Sequence, residues 1–188
     1  MIDHGDIEKI LQEIESNQQD AKVLLRGLTD AQFNWKPAQA VWSMAENLTH
    51  LSATTGPDLP ELVRTVRQAK QDKLYATGPF RYGMLSRWFV SSREPPPKRR
   101  VKAPKMYAPP PHAPLDRALD GFLTQLEQLA ELARESNGLD LARVKTKFPA
   151  VKFLKMSLGA RFLLLTAHNR RHLWQAQQVK HLPQFPAA

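Results

Sequence analysis

The chain has 188 residues, 42% of them hydrophobic, which suits one domain with a real core. It contains no cysteine, so disulfides, thiolate metal ligands and a cysteine nucleophile are excluded. The formal net charge of +9 raises contact with nucleic acid or another polyanion, although much of that excess sits in one segment.

Helical periodicity dominates from the N-terminus onward, with no convincing run of strand alternation. The first predicted helix runs from about Asp6 to Gly27, with Ile7, Ile10, Leu11, Ile14, Ala21, Leu24 and Leu28 on one apolar stripe. This acidic, amphipathic start has neither the basic nor the apolar region of a secretory signal, and no apolar run is long enough for a membrane span. The expectation is a cytoplasmic protein. A connector follows over Leu28–Trp42, with Phe33 and Trp35 placed to cover one end of the helices.

Ser43-Met44-Ala45-Glu46 fits a capping box, in which hydroxyl and carboxylate each satisfy a free backbone N–H at the start of the second helix. Gly56-Pro57 should break or kink that helix, because proline lacks a backbone donor and clashes with the preceding turn. Asp58-Leu59-Pro60-Glu61 can then cap a continuation to about Lys73.

Tyr75–Ala113 differs in character. Arg81–Ser91 fits a short helix with Tyr82, Leu85 and Phe89 inward; the basic, proline-rich REPPPKRRVKAPKMYAPPPHAP that follows favours extended chain. The segment reads as an insertion draped over a helical domain spanning 1–188. Its Lys98, Arg99, Arg100, Lys102 and Lys105 suit a solvated loop or a phosphate- or carboxylate-binding patch.

Pro114 opens the third long helix, striped by Leu115, Leu119, Phe122, Leu126, Leu129 and Ala133 and stopped by Asn137-Gly138. After a connector to about Met156, Ser157 caps the last helix, which reaches about Lys180. Four long helices predict an all-α fold, a four-helix bundle with a basic, proline-rich insertion between the second and third long helices.

On the last helix Leu158, Phe162, Leu165, Ala176 and Val179 mark the inward face, and His168 and His172 fall on it one turn apart. Inward imidazoles need partners. One reading is a hydrogen-bonded pair of core histidines; the other is a metal site completed by His50, which lies two turns into the second helix between apolar neighbours. Without thiolates, the ion would be zinc, nickel, iron or manganese. Ligation needs neutral imidazole, so binding should weaken below about pH 6. His168-Asn169-Arg170-Arg171-His172 lacks the glutamate general base of the HExxH peptidases. Glu46, one turn before His50, and Gln175, near His172, are the weak candidates for catalytic roles, while His4, His112 and His181 read as solvated.

WSMAENLTHL at Trp42–Leu51 and HNRRHLWQ at His168–Gln175 together resemble the two diagnostic segments of the DinB/YfiT-like superfamily. The resemblance extends loosely over Leu28–Trp42 and everything except Tyr75–Ala113. It implies a four-helix bundle whose single divalent metal is held by His50, His168 and His172. It also implies a metalloenzyme, either a metal-dependent hydrolase or a transferase or isomerase acting on a low-molecular-weight thiol, often as a two-fold homodimer. The alternative is a non-catalytic binding module that contacts nucleic acid or an acidic partner through the insertion. Ala160, Leu163, Ala167 and Trp174 lie opposite the histidines; their cover is either a second copy or, within the chain, the insertion or the connector around Phe148 and Phe153.

Overall fold

The computed structural model describes residues 5–97, 103–149 and 151–187. It is mostly helical, with one small two-stranded sheet. Helix α1, Gly5–Leu25, buries Ile7, Ile10, Ile14, Asn17, Ala21 and Leu25 at the expected spacing, with Asp6 and Glu8 at its positive end. Gly27 follows at φ +73°, the left-handed conformation that glycine tolerates without a Cβ penalty. Within the predicted connector, Thr29 and Gln32 form a capping box that starts the short helix α2, Asp30–Asn34. Phe33 is fully buried there, and Trp35 packs edge-on against Phe185.

Helix α3, Met44–Gln71, continues through Pro57 and Pro60, so the break that the sequence allowed does not occur. Tertiary contacts hold the helix on either side of Pro57. The Gln125 amide donates to the Ser52 carbonyl one turn before Pro57, and buried Asp58 pairs with Arg161. At its start Glu46 N–H donates to Ser43 Oγ (3.0 Å) and Ser43 N–H to Glu46 Oε2 (2.8 Å), as the sequence predicts.

Helix α4, Met84–Ser91, occupies the predicted place in the 75–113 segment, but Leu85 is 66% exposed and points outward. Its inward contacts come from Phe89 and Val90, with Tyr82 just before it. A 3-10 turn, Lys105–Tyr107, then touches α3. Asn34 clamps the end of the segment by exchanging two 2.9 Å bonds with the backbone of Ala113. Asp30 Oδ1 accepts from Leu115 N–H (2.8 Å), supplying the cap that Pro114 cannot give helix α5, Leu115–Glu135. Of the basic run, Lys105 is exposed, whereas Lys98, Arg99, Arg100 and Lys102 lie outside the described residues.

The connector before the last helix also departs from expectation, because it contains an antiparallel hairpin. Strand β1, Lys145–Phe148, pairs with β2, Val151–Ser157, in the register Thr146↔Met156 and Lys147↔Lys155. The alternation is short and lysine-rich, so only Thr146 of β1 is buried. Lys147 N–H donates to Glu61 Oε1, which pins the hairpin to α3.

Helix α6, Leu158–Lys180, begins at Ser157, yet the Ser157 hydroxyl makes no capping bond; that expectation fails. Helices α1 and α3 each pack against both α5 and α6. The apolar core gathers between them, around Phe33, Phe122 and Phe162. The back of α6 is covered from within the chain: Met156, Ala160 and Leu164 meet Tyr82, Phe89, Val90 and Phe148. Phe153 takes no part in that cover and is 90% exposed. No helix among the described residues is long and apolar enough to cross a membrane.

Candidate metal centre

The capped start of α3 fixes the rotation of its first turns and carries Asn47 and His50 inward. Two turns of α6 bring His168 and His172 to the same place. One ligand atom from each of the three histidines lies within 4.8 Å of the others. His50 and His172 are buried and His168 is half-buried. Half-buried Trp42 walls the cluster, its ring 4.8 Å from that of His50 and stacked at 5.7 Å on His172.

The hydrogen bonds settle which nitrogens are bare. His50 Nδ1 lies 2.8 Å from the Tyr107 carbonyl oxygen, so it must carry the proton and donate, leaving Nε2 as a lone pair. Asn47 donates through Nδ2 to the Ser43 carbonyl (2.9 Å), which turns its Oδ1 toward His172 Nδ1 at 3.0 Å. His172 Nδ1–H therefore donates to Asn47, and its Nε2 is bare as well. That Nε2 faces His168 Nε2 at 3.1 Å. In metal-free protein the His168 Nε2–H donates across this gap; with the His168 proton on Nδ1 instead, three lone pairs converge. The separations and the all-imidazole donor set fit one divalent ion with about 2.0–2.1 Å bonds and at least one open position.

Burial keeps the imidazoles neutral. Desolvation lowers the pKa of His50 against the opposing Tyr107 bond. It drives His168 down to about 3, helped by the charges of His50, Arg93, Arg171 and Arg161. His172 is lowered further still, by desolvation and then by His168, His50, Arg171 and Arg93. A cluster poised as neutral ligands is ready for a cation at a pH where free imidazole would be protonated.

The other sequence candidates fall elsewhere. Glu46 is 6% exposed and committed to Ser43 and to Lys36 Nζ, 2.5 Å away. Gln175 is half-buried, and its side chain makes no hydrogen bond among the described residues. His112 and His181 are exposed, and His4 lies outside the described residues. Sequence reasoning missed Asn47 and the Tyr107 carbonyl, the two groups that orient His172 and His50. Asn47 had a signal, lying one turn before His50 on the same face. A backbone carbonyl 57 residues away had none.

No curated protein and no solved structure matches the chain significantly. The family model of the DinB superfamily matches residues 13–176, which include all of α3, most of α6 and all three histidines. With that match over most of its length, the chain belongs to the DinB superfamily.

Proposed function

We propose that this protein is a metalloenzyme in which His50, His168 and His172 hold one divalent ion in a four-helix bundle formed by α1, α3, α5 and α6. The observation that carries the reading is the paired orientation of His50 by the Tyr107 carbonyl and of His172 by Asn47, which turns both Nε2 atoms to a common point. Metal-ligating histidines commonly have such a partner on the other ring nitrogen. An ion there supplies Lewis-acid activation of a thiol or of water.

The chain's own residues do the rest. Asn47 and Tyr107 fix the ring planes, and Trp42 gives an aromatic wall that excludes water from one side. The 75–113 segment, acting as an insertion, shapes the entrance, since it contributes both the Tyr107 carbonyl and the cover over α6. Glu46 is held by its cap and by Lys36, so the proton released when the thiol or water ionises would pass to solvent and not to this carboxylate.

Protein loaded with zinc, nickel or manganese in turn should accelerate either thiol conjugation to an electrophile or ester hydrolysis. The rate should vanish on chelation and in His50→Ala. Rates equal to the chelated control with every metal and both reaction types would overturn the enzymatic reading while leaving metal binding intact.

A further inference from the structure

The surroundings of the histidines are cationic, and the acids nearby are committed to some of those cations but not to all. Helix α4 packs along α6 and ends at Ser91; the bond from Arg171 to Ser92 puts its end beside the α6 turn that carries His168 and His172, and the charge of Arg93 is felt by both histidines. Arg171 Nη1 donates to the Ser92 carbonyl (3.1 Å), and Arg93 Nη1 reaches the Ser92 hydroxyl at 3.5 Å. Two guanidinium groups thus meet at Ser92, and one of them, Arg171, is next in sequence to His172 of the centre.

The neighbouring carboxylates are spoken for. Glu94 holds Arg170 in a two-pronged pair, Nε to Oε2 at 3.1 Å and Nη2 to Oε1 at 2.6 Å, and Glu13 pairs with the same arginine. Asp58 is taken by Arg161 in a buried ion pair. Arg93 has no carboxylate partner among the described residues. It is half-buried, so its charge is partly stripped of water, and burial lowers its pKa accordingly. One long bond to a hydroxyl leaves most of its five N–H donors unused.

We propose that Arg93 is the anion-binding arm of the histidine centre, taking a carboxylate or phosphate oxygen of the molecule that enters there. The inference rests on the reading of the three histidines as a metal site, and it names the substrate class of that site: a molecule carrying an oxyanion a short distance from its reacting atom. Arginine suits this because its planar fork matches carboxylate and phosphate oxygens in pairs, which a lysine point charge does not. Arg171, held on the Ser92 carbonyl, fixes the loop that presents Arg93 and adds to the field. A purely structural Arg93, whose stem merely covers apolar surface, would make no distinction between anions and water.

The test uses the full chain loaded with cobalt(II), whose stoichiometry is measured first. Acetate and inorganic phosphate are titrated in separate arms by calorimetry and by the visible cobalt spectrum. Wild type should bind at least one of them, with Arg93→Gln weakening that affinity roughly tenfold or more. Arg93→Lys should fall between the two, and Arg87→Gln, exposed on α4, should match wild type. All four proteins should hold equal cobalt. Tighter acetate binding identifies the group as a carboxylate, tighter phosphate binding as a phosphoryl group. Equal affinities in wild type and Arg93→Gln, or no binding of either anion to cobalt-loaded wild type, would overturn the inference while sparing the metal reading. Failure of wild type to take up cobalt overturns the metal reading and this inference with it.

Discussion

Helices α5 and α6 have nearly the same length and both pack against α1 and α3, yet their surroundings are unlike. Helix α5 buries one stripe around Phe122, Leu126, Leu129 and Ala133, while Glu127, Glu131 and Arg134 on its other side meet water. Helix α6 is buried nearly all round through its first four turns: Ala160, Arg161, Leu164 and Ala167 are covered as thoroughly as Phe162 and Leu165. An amphipathic helix advertises its orientation in its own sequence. A helix enclosed on every side needs a cover supplied from elsewhere, here α4 and the hairpin. The histidine pair sits on the enclosed helix, where burial can hold imidazoles neutral and rigid.

The sharpest way to break the contrast is to strand a charge inside the α6 environment. Asp58→Ala leaves Arg161, 5% exposed, without its carboxylate, and should cost about 3–5 kcal/mol in denaturant unfolding. The pair itself stabilises little. The Asp58 pKa is raised because desolvation outweighs the attraction of Arg161, so Asp58→Leu combined with Arg161→Met should restore most of the loss. A double variant as unstable as Asp58→Ala would contradict this account of the pair.

Next in size comes packing on the back of α6. Ala160 has no exposed surface against Tyr82 and its neighbours, so Ala160→Leu should overpack and cost about 1–3 kcal/mol. Glu131→Leu on the open side of α5 should change stability by no more than about 0.5 kcal/mol. Similar values for the two would mean that α4 does not cover α6 in solution. A smaller effect, about 1 kcal/mol, is expected for Ser43→Ala, which removes the Oγ acceptor of the α3 capping box.

The pH dependence separates the two helices once more. The unfolded chain takes up protons on its histidines near the ordinary 6.5, whereas folded His168 resists to about 3 and His50 and His172 are also depressed. The unfolded state therefore binds more protons below pH 6.5, and metal-free protein loses stability as pH falls from there toward 3. A His50→Leu/His168→Leu/His172→Leu variant should lose much less over that window, and an unchanged slope would place the responsible groups elsewhere.

These contrasts also explain what was legible in the sequence. Stripes, caps and the His168–His172 spacing are local, so α1, α3, α5, α6 and the three histidines could be read from neighbours alone. Around Pro57, α3 is tied to Gln125 through Ser52 and to Arg161 through Asp58, residues remote in sequence. The hairpin was hidden because its alternation is short and its polar positions are lysines. Leu85, read as inward, is exposed at the first turn of α4, where the cover over α6 comes from Tyr82 before the helix and Phe89 and Val90 at its other end. The orientation of His50 was invisible for a different reason: any residue type could have supplied the Tyr107 carbonyl.

The central claim is that three bare imidazole nitrogens converge on one cation, and elemental analysis of protein purified without a histidine tag tests it directly. After equilibration with zinc and removal of free ion, the wild type should hold about one zinc per chain. His172→Ala should lose most of it, and Asn47→Ala, which frees the His172 ring, should bind roughly tenfold or more weakly. A wild type without zinc, or a triple alanine variant of His50, His168 and His172 that keeps it, would contradict the account.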